Sequence, residues 1–137
     1  MKKTRVLFLC TRNSCRSQMA EAIVTHRFGD RWEAFSAGSK PAGYVHPLAI
    51  QVLSEIGIDH HGSSKSILEF TGQPFDIIAT LCEDSEEECP VWLGPGRKLH
   101  RPFPDPSKTI GSDEEKLIAF RQVRDEIAAE LNSLLVS

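Results

Sequence analysis

The chain has 137 residues, a net charge of −3, 40 % hydrophobic residues and 26 % charged ones. That size suits a single domain over residues 1–137, and the mildly negative balance excludes a broad electrostatic footprint for nucleic acid. No apolar run is long enough to span a bilayer, and Val6-Leu7-Phe8-Leu9 is too short for a signal peptide, so a cytoplasmic location with no membrane partner is expected.

In chain order, residues 6–9 read as a strand buried on both faces. A polar turn follows, then a helical pattern over about 17–28 with Met19, Ala20, Ile23 and Val24 on one face and Gly29 as a stop. Residues 33–36 read as a second strand ended by Gly38. Pro47 opens a helix carrying Leu48, Val52, Leu53 and Ile56, closed by Gly57. A short helix is expected around 66–70, a buried strand over 75–81, and a short last strand over 98–103. Ser112 and Glu115 have capping-box spacing before a final helix with Leu117, Phe120, Ile127, Leu131 and Leu134 on its apolar face. Strands alternating with helices predict an α/β three-layer sandwich with a parallel sheet. Its ligand site falls at the carboxyl ends of the strands. Cys10 ends the first strand, Cys82 ends the third, and Asp105 follows the fourth.

Four cysteines stand at 10, 15, 82 and 89. In a reducing compartment cysteines lean towards catalysis or metal binding rather than structural disulfides. No Cys-x-x-Cys hook is present, so neither a zinc site nor another metal is expected, and burial as small hydrophobes remains an alternative.

The sharpest feature is Cys10-Thr11-Arg12-Asn13-Ser14-Cys15-Arg16-Ser17, a polar loop between a strand end and a helix start. In that setting the backbone N–H groups can converge on one tetrahedral anion. Arg16, at Cys-x5-Arg spacing, can grip two of its oxygens. The same positive field favours the thiolate of Cys10, the nucleophilic form. Ser17 can donate a hydrogen bond to that sulfur, and Asn13 can tie the loop to itself. Thr11, Arg12, Asn13, Ser14, Cys15, Arg16 and Ser17 are therefore the expected oxyanion-binding residues.

Residues 6–21 (Val-Leu-Phe-Leu-Cys-Thr-Arg-Asn-Ser-Cys-Arg-Ser-Gln-Met-Ala-Glu) resemble the arsenate reductases built on the low-molecular-weight protein tyrosine phosphatase fold. The resemblance continues through Ser36-Ala37-Gly38, His46-Pro47, Gly57-Ile58-Asp59, Thr80-Leu81-Cys82, Cys89-Pro90, Asp105-Pro106 and residues 120–126. It implies a four-stranded parallel sheet with helices on both faces. It also implies that Asp105 hands a proton to the departing oxygen, although an Asp-Pro pair alone is equally a turn signal. Gln18 stands where the phosphatases typically carry proline, and Ser107 where many place a tyrosine. Cys82 and Cys89 match the paired redox cysteines of the thioredoxin-coupled reductases.

The resemblance implies that Cys10 attacks arsenate, Cys82 then attacks Cys10 to release arsenite, and Cys89 draws the oxidation into a Cys82–Cys89 disulfide. Thioredoxin is the expected reductant, glutaredoxin with glutathione the alternative, and no cofactor is implied. Two other readings stay open: a phosphatase acting on phosphotyrosine, and an oxyanion-binding or phosphocarrier module.

Were residues 83–88 helical, Cys82 and Cys89 would stand about 10 Å apart along the axis. A disulfide needs Cα atoms about 4.4–6.8 Å apart, so such a helix would have to unwind. The acidic run weakens a short helix, but it equally suits a solvated loop, and its charge disfavours a thiolate at Cys89. Cys15 is expected to pack the loop rather than join the relay. Some family members bind potassium through residues matching Asn13, Glu21, Ser36 and an aspartate. Here Lys65 stands in the aspartate position, so potassium dependence is expected to be lost. Arg12 replaces a glycine common at that loop position. His60 and His61 read as a surface turn, and Trp32, Tyr44 and Trp92 as core or rim residues.

Overall fold

The computed structural model describes residues 3–136; residues 1, 2 and 137, the ends of the expected domain, lie outside the described residues. Strand β1 (Thr4–Cys10) occupies the middle of the sheet because its residues are apolar on both faces. Val6 and Phe8 enter the larger core, while Leu7 and Leu9 enter a second core on the opposite face. Helix α1 (Arg16–Phe28) begins directly after the polar loop and buries Met19, Ala20, Ile23 and Val24.

Strand β2 (Trp32–Gly38) runs parallel to β1, with Cys10 opposite Gly38. Helix α2 (Pro47–Glu55) starts on a proline, and the His46 ring accepts a hydrogen bond from the Leu48 N–H at 3.1 Å. Gly57 follows with φ of +82°, the left-handed conformation that ends the helix here. A short 3-10 helix (Ile67–Phe70) carries a complete capping box between Ser66 and Glu69.

Strands β3 (Ile77–Thr80) and β4 (Arg97–His100) complete a sheet of order β2-β1-β3-β4, parallel throughout. A second 3-10 turn (Pro106–Lys108) precedes α3 (Asp113–Val136), which the predicted Ser112–Glu115 capping box opens. The three helices pack on one another over one face of the sheet. On the other face Phe70, Phe75 and Trp92, carried by the 3-10 helix and loops, cover Leu7, Leu9 and Ile78. The expected three-layer α/β sandwich is therefore present, with a thinner second outer layer. Trp92 belongs to this layer and Tyr44 is exposed.

Several details differ from the sequence reading, among them β3, which spans 77–80 rather than 75–81. The last strand ends at His100 rather than 103, because the chain then bends to turn the Phe103 carbonyl onto Arg16, 3.2 Å away. On α3 the buried stripe also includes Val123 and Leu135, with Leu134 at its margin.

Candidate active site

The loop from Cys10 to Arg16 connects β1 to α1 at the carboxyl edge of the sheet. Its carbonyls are drawn outward by the surrounding backbone. Lys40 N–H donates to Thr11 C=O at 2.9 Å, Ala42 N–H to Arg12 C=O at 3.0 Å and His46 N–H to Ser14 C=O at 3.0 Å. Gln18 Nε2 donates to Asn13 C=O at 3.1 Å. Planar peptides whose carbonyls face outward turn their N–H groups the other way, into the bowl. Helix α1 adds its own N-terminus, which has no acidic residue in its first turn and no side-chain cap. Gly38 lies so close behind the loop that a Cβ there would stand 2.5 Å from the Thr11 carbonyl oxygen. That contact accounts for a glycine at the end of β2.

Asn13 holds the shape. It is fully buried, with φ of +51°, a conformation asparagine tolerates better than most residues. Its Oδ1 accepts from Gln18 Nε2 at 3.0 Å and from Lys65 N–H at 2.8 Å, and its Nδ2 donates to Ser17 Oγ at 2.7 Å. An amide NH2 can only donate, so Ser17 Oγ accepts there and its own hydrogen is free for Cys10 Sγ, 2.8 Å away. The expected Ser17-to-Cys10 hydrogen bond is thus oriented by Asn13. Gln18, read from sequence only as a difference from the phosphatases, is fully buried and also binds Ser63 C=O at 2.8 Å and His60 Nε2 at 2.8 Å. His60 is therefore part of the loop's support, while His61 is exposed and pairs with Asp59.

Arg16 is 3 % exposed. Its Nη1 donates to Phe103 C=O, and Asp105 Oδ2 lies 3.7 Å from Nη2. Asp105 Oδ1 accepts from Ser107 N–H at 3.0 Å and Ser107 Oγ at 2.6 Å, which leaves Oδ2 as the oxygen facing Arg16. The strongest partner was not anticipated. Glu86 forms a two-pronged pair with Arg16, Nη1 to Oε2 at 2.6 Å and Nη2 to Oε1 at 2.8 Å. Thr11 Oγ1 donates to Glu86 Oε1 at 3.0 Å and Glu83 N–H to Oε2 at 2.6 Å. Burial raises the pKa of Glu86, but the hydrogen bonds from Arg16 and Glu83 N–H outweigh it and bring it down to about 2. Burial likewise opposes the charge on Arg16, and the hydrogen bonds to Glu86, with nearby negative charge, overcome it and raise its pKa.

Cys82 and Cys89 are joined in a disulfide with Cα atoms 5.9 Å apart, and residues 83–88 form turns rather than a helix. The helical geometry considered from the sequence is therefore absent in this state, because the bridge brings together two positions that a helix would separate. Leu81 N–H donates to Leu9 C=O at 2.8 Å, which sets Cys82 on the same rim as Cys10, and Thr11 Oγ1 lies 3.8 Å from Cys82 Sγ. The acidic run is not merely solvated. Asp84 meets His100 at 2.8 Å, Glu88 meets Lys40 at 2.6 Å, and Ser39 Oγ donates to the Glu88 carbonyl.

Cys15 is buried, and burial pushes its thiol up to about 12, which suits packing rather than nucleophilic chemistry. Arg12 contributes its carbonyl, held by Ala42 N–H and by Ser64 Oγ at 2.9 Å. At the position implied for potassium, Ser36 Oγ donates to Glu21 Oε1 at 2.8 Å and the Lys65 ammonium lies 3.9 Å from the same oxygen. A lysine cation already stands beside the only carboxylate of the set, so these residues do not fit a second cation.

The model of the low-molecular-weight phosphotyrosine protein phosphatase family matches residues 5–137. The chain belongs to that family. Within it, the chain is 42 % identical to an arsenate reductase of Halalkalibacterium halodurans over 134 residues, covering 97 % of this chain and 96 % of the relative. The solved structure of an arsenate reductase from Archaeoglobus fulgidus is 30 % identical and superposes with a TM-score of 0.81, covering 96 % of this chain and 99 % of that one. A thioredoxin-dependent arsenate reductase of Corynebacterium glutamicum is 29 % identical with a TM-score of 0.68, covering 98 % of this chain and 63 % of that longer one. This family member thus resembles, along its whole length, relatives named for arsenate reduction. Among the described residues no helix is long and apolar enough to cross a membrane.

Proposed function

We propose that this chain reduces arsenate to arsenite, with Cys10 as nucleophile and Cys82 and Cys89 as the source of two electrons. The observation that carries this reading is the Cys82–Cys89 disulfide on the rim of the oxyanion loop. Phosphoryl transfer through Cys10 needs one thiol, whereas reducing arsenic from its pentavalent to its trivalent state consumes two.

The Cys10 thiolate attacks arsenic, and an arsenate oxygen leaves as water, with Asp105 supplying a proton. The Cys82 thiolate attacks Cys10 Sγ; the sulfur–arsenic bonding pair passes to arsenic, arsenite departs and a Cys10–Cys82 disulfide forms. Cys89 attacks Cys82, which frees Cys10 and leaves the Cys82–Cys89 bridge. An external dithiol then restores both thiols. Cys82 is fully buried in the bridge and Cys89 is only partly so, which supports attack by that dithiol on the Cys89 sulfur. Thioredoxin is the proposed donor, supported by the thioredoxin-dependent relative, and the cytoplasm, where such donors are kept reduced, is the proposed location.

Arsenate-dependent oxidation of NADPH, through thioredoxin and its reductase, tests the reading. Glutaredoxin with glutathione runs alongside as the competing donor. Cys82→Ser and Cys89→Ser should each abolish turnover. Normal cycling by either variant would overturn the relay, and turnover only with glutaredoxin would overturn the choice of donor.

A further inference from the structure

We propose that Glu86 is an internal ligand of the oxyanion site, gated by the redox state of the Cys82–Cys89 pair: while the bridge stands, its carboxylate holds Arg16 and keeps oxyanions out, and reduction opens the site. The inference rests on the reading of residues 10–16 as an oxyanion loop.

The Glu86 carboxylate engages the guanidinium as a substrate oxyanion would, with one oxygen on each terminal nitrogen, at 2.6 and 2.8 Å. Both oxygens have a second donor, Thr11 Oγ1 and Glu83 N–H. With Arg16 3 % and the Glu86 side chain 10 % exposed, the pair is nearly dry. The Asp105 carboxylate already flanks the same guanidinium at 3.7 Å. An arriving dianion would become a third negative group around one buried cation, and it would find the edge it needs already taken.

The bridge is what delivers Glu86. Cys82 and Cys89 have Cα atoms 5.9 Å apart, so the six residues between them must bulge as a loop. That loop is pinned at one end by Asp84 on His100 and at the other by Glu88 on Lys40. Asp84, Glu87 and Glu88 face solvent, and Glu86, between these anchors, turns inward. Cutting the bridge removes the closure that holds the loop in this shape, and the loop then gains the freedom of an open chain carrying crowded like charges.

Such a gate serves the proposed cycle. An oxidised chain that accepted arsenate would carry a Cys10 adduct with no free Cys82 thiol to resolve it. Occupying Arg16 from within enforces reduction before substrate binding.

Binding of inorganic phosphate, measured by calorimetry on the full chain in its Cys82–Cys89 disulfide form and in its dithiol form, tests the gate without arsenate chemistry. The disulfide form should bind phosphate about tenfold or more weakly than the dithiol form. In the disulfide form, Glu86→Gln and Glu86→Ala should each restore binding to within about threefold of the dithiol form, because both remove the competing charge. Equal binding by the two wild-type forms, or variants as weak as the wild-type disulfide form, would overturn the gate and leave the oxyanion reading intact. A dithiol form that binds no phosphate would overturn both.

Discussion

Replacing Asn13 tests whether the loop's shape is held by one buried amide. Asn13→Ala removes three hydrogen bonds, to Ser17 Oγ, Gln18 Nε2 and the Lys65 N–H, at 2.7, 3.0 and 2.8 Å. At about 1 kcal/mol each, their loss costs about 3 kcal/mol. Alanine at φ of +51° adds about 1 kcal/mol more, because it keeps the Cβ that crowds the following carbonyl but lacks the short polar side chain that lets asparagine tolerate this conformation. The expected total is about 4 kcal/mol, a large share of the roughly 5–15 kcal/mol that holds a domain of this size together. Asn13→Gly should recover about 1 kcal/mol of that, since glycine accepts the left-handed backbone but restores no hydrogen bond. Urea unfolding of the reduced chain, followed by far-UV circular dichroism, reads both values. Asn13→Ala within about 1 kcal/mol of wild type, or Asn13→Gly no more stable than Asn13→Ala, would show that this amide does not hold the loop.

Arg16→Lys keeps the charge but loses the planar fork, and kcat/KM for arsenate should fall about 100-fold or more; a loss under tenfold would show that charge alone suffices. Turnover and thermal stability should be the same in sodium and potassium salts, because the Lys65 ammonium stands beside Glu21; a potassium-specific gain would contradict this. For Glu86 the folded pKa of about 2 lies below the ordinary 4.5, so its stabilising share is complete above 4.5 and is lost as pH falls towards 2. Acid unfolding of the disulfide form should therefore be steeper over that interval in wild type than in Glu86→Gln, and superimposable curves would refute it.

The loop proposed to hold the oxyanion was legible because its signal is local. A polar run between an apolar strand and an apolar helix, with Cys10 and Arg16 at its ends, leaves few backbone arrangements, and the Ser17 contact to Cys10 follows from position alone. Helix α3 was legible for a similar reason, since Ser112 and Glu115 mark its start and an apolar stripe its length. Strand β4 was harder to bound because it is an exposed edge with no alternating pattern, and the residues after it bend to serve Arg16. Glu86 could not be picked from the five acidic side chains between Cys82 and Cys89. Which of them turns inward depends on the loop shape that the disulfide imposes, and no periodicity records that. A carboxylate in a loop between two relay cysteines, close to an oxyanion site in the fold, is the signal that could have raised it. Gln18 was visible only as a departure from the phosphatases; its four hydrogen bonds to Asn13, Ser63 and His60 needed the three-dimensional contacts, including those to segments 42 and 45 residues away.

The most direct test of Cys10-initiated, thiol-relayed reduction is a single turnover without any external donor. Fully reduced protein, with its four cysteines as thiols, is mixed with excess arsenate, and arsenite and remaining thiols are counted. A thiol relay gives one arsenite per chain, a fall from four thiols to two, and a new bond that peptide mapping finds between Cys82 and Cys89. Four surviving thiols with no arsenite formed, or a bond that joins Cys15 instead, would contradict it.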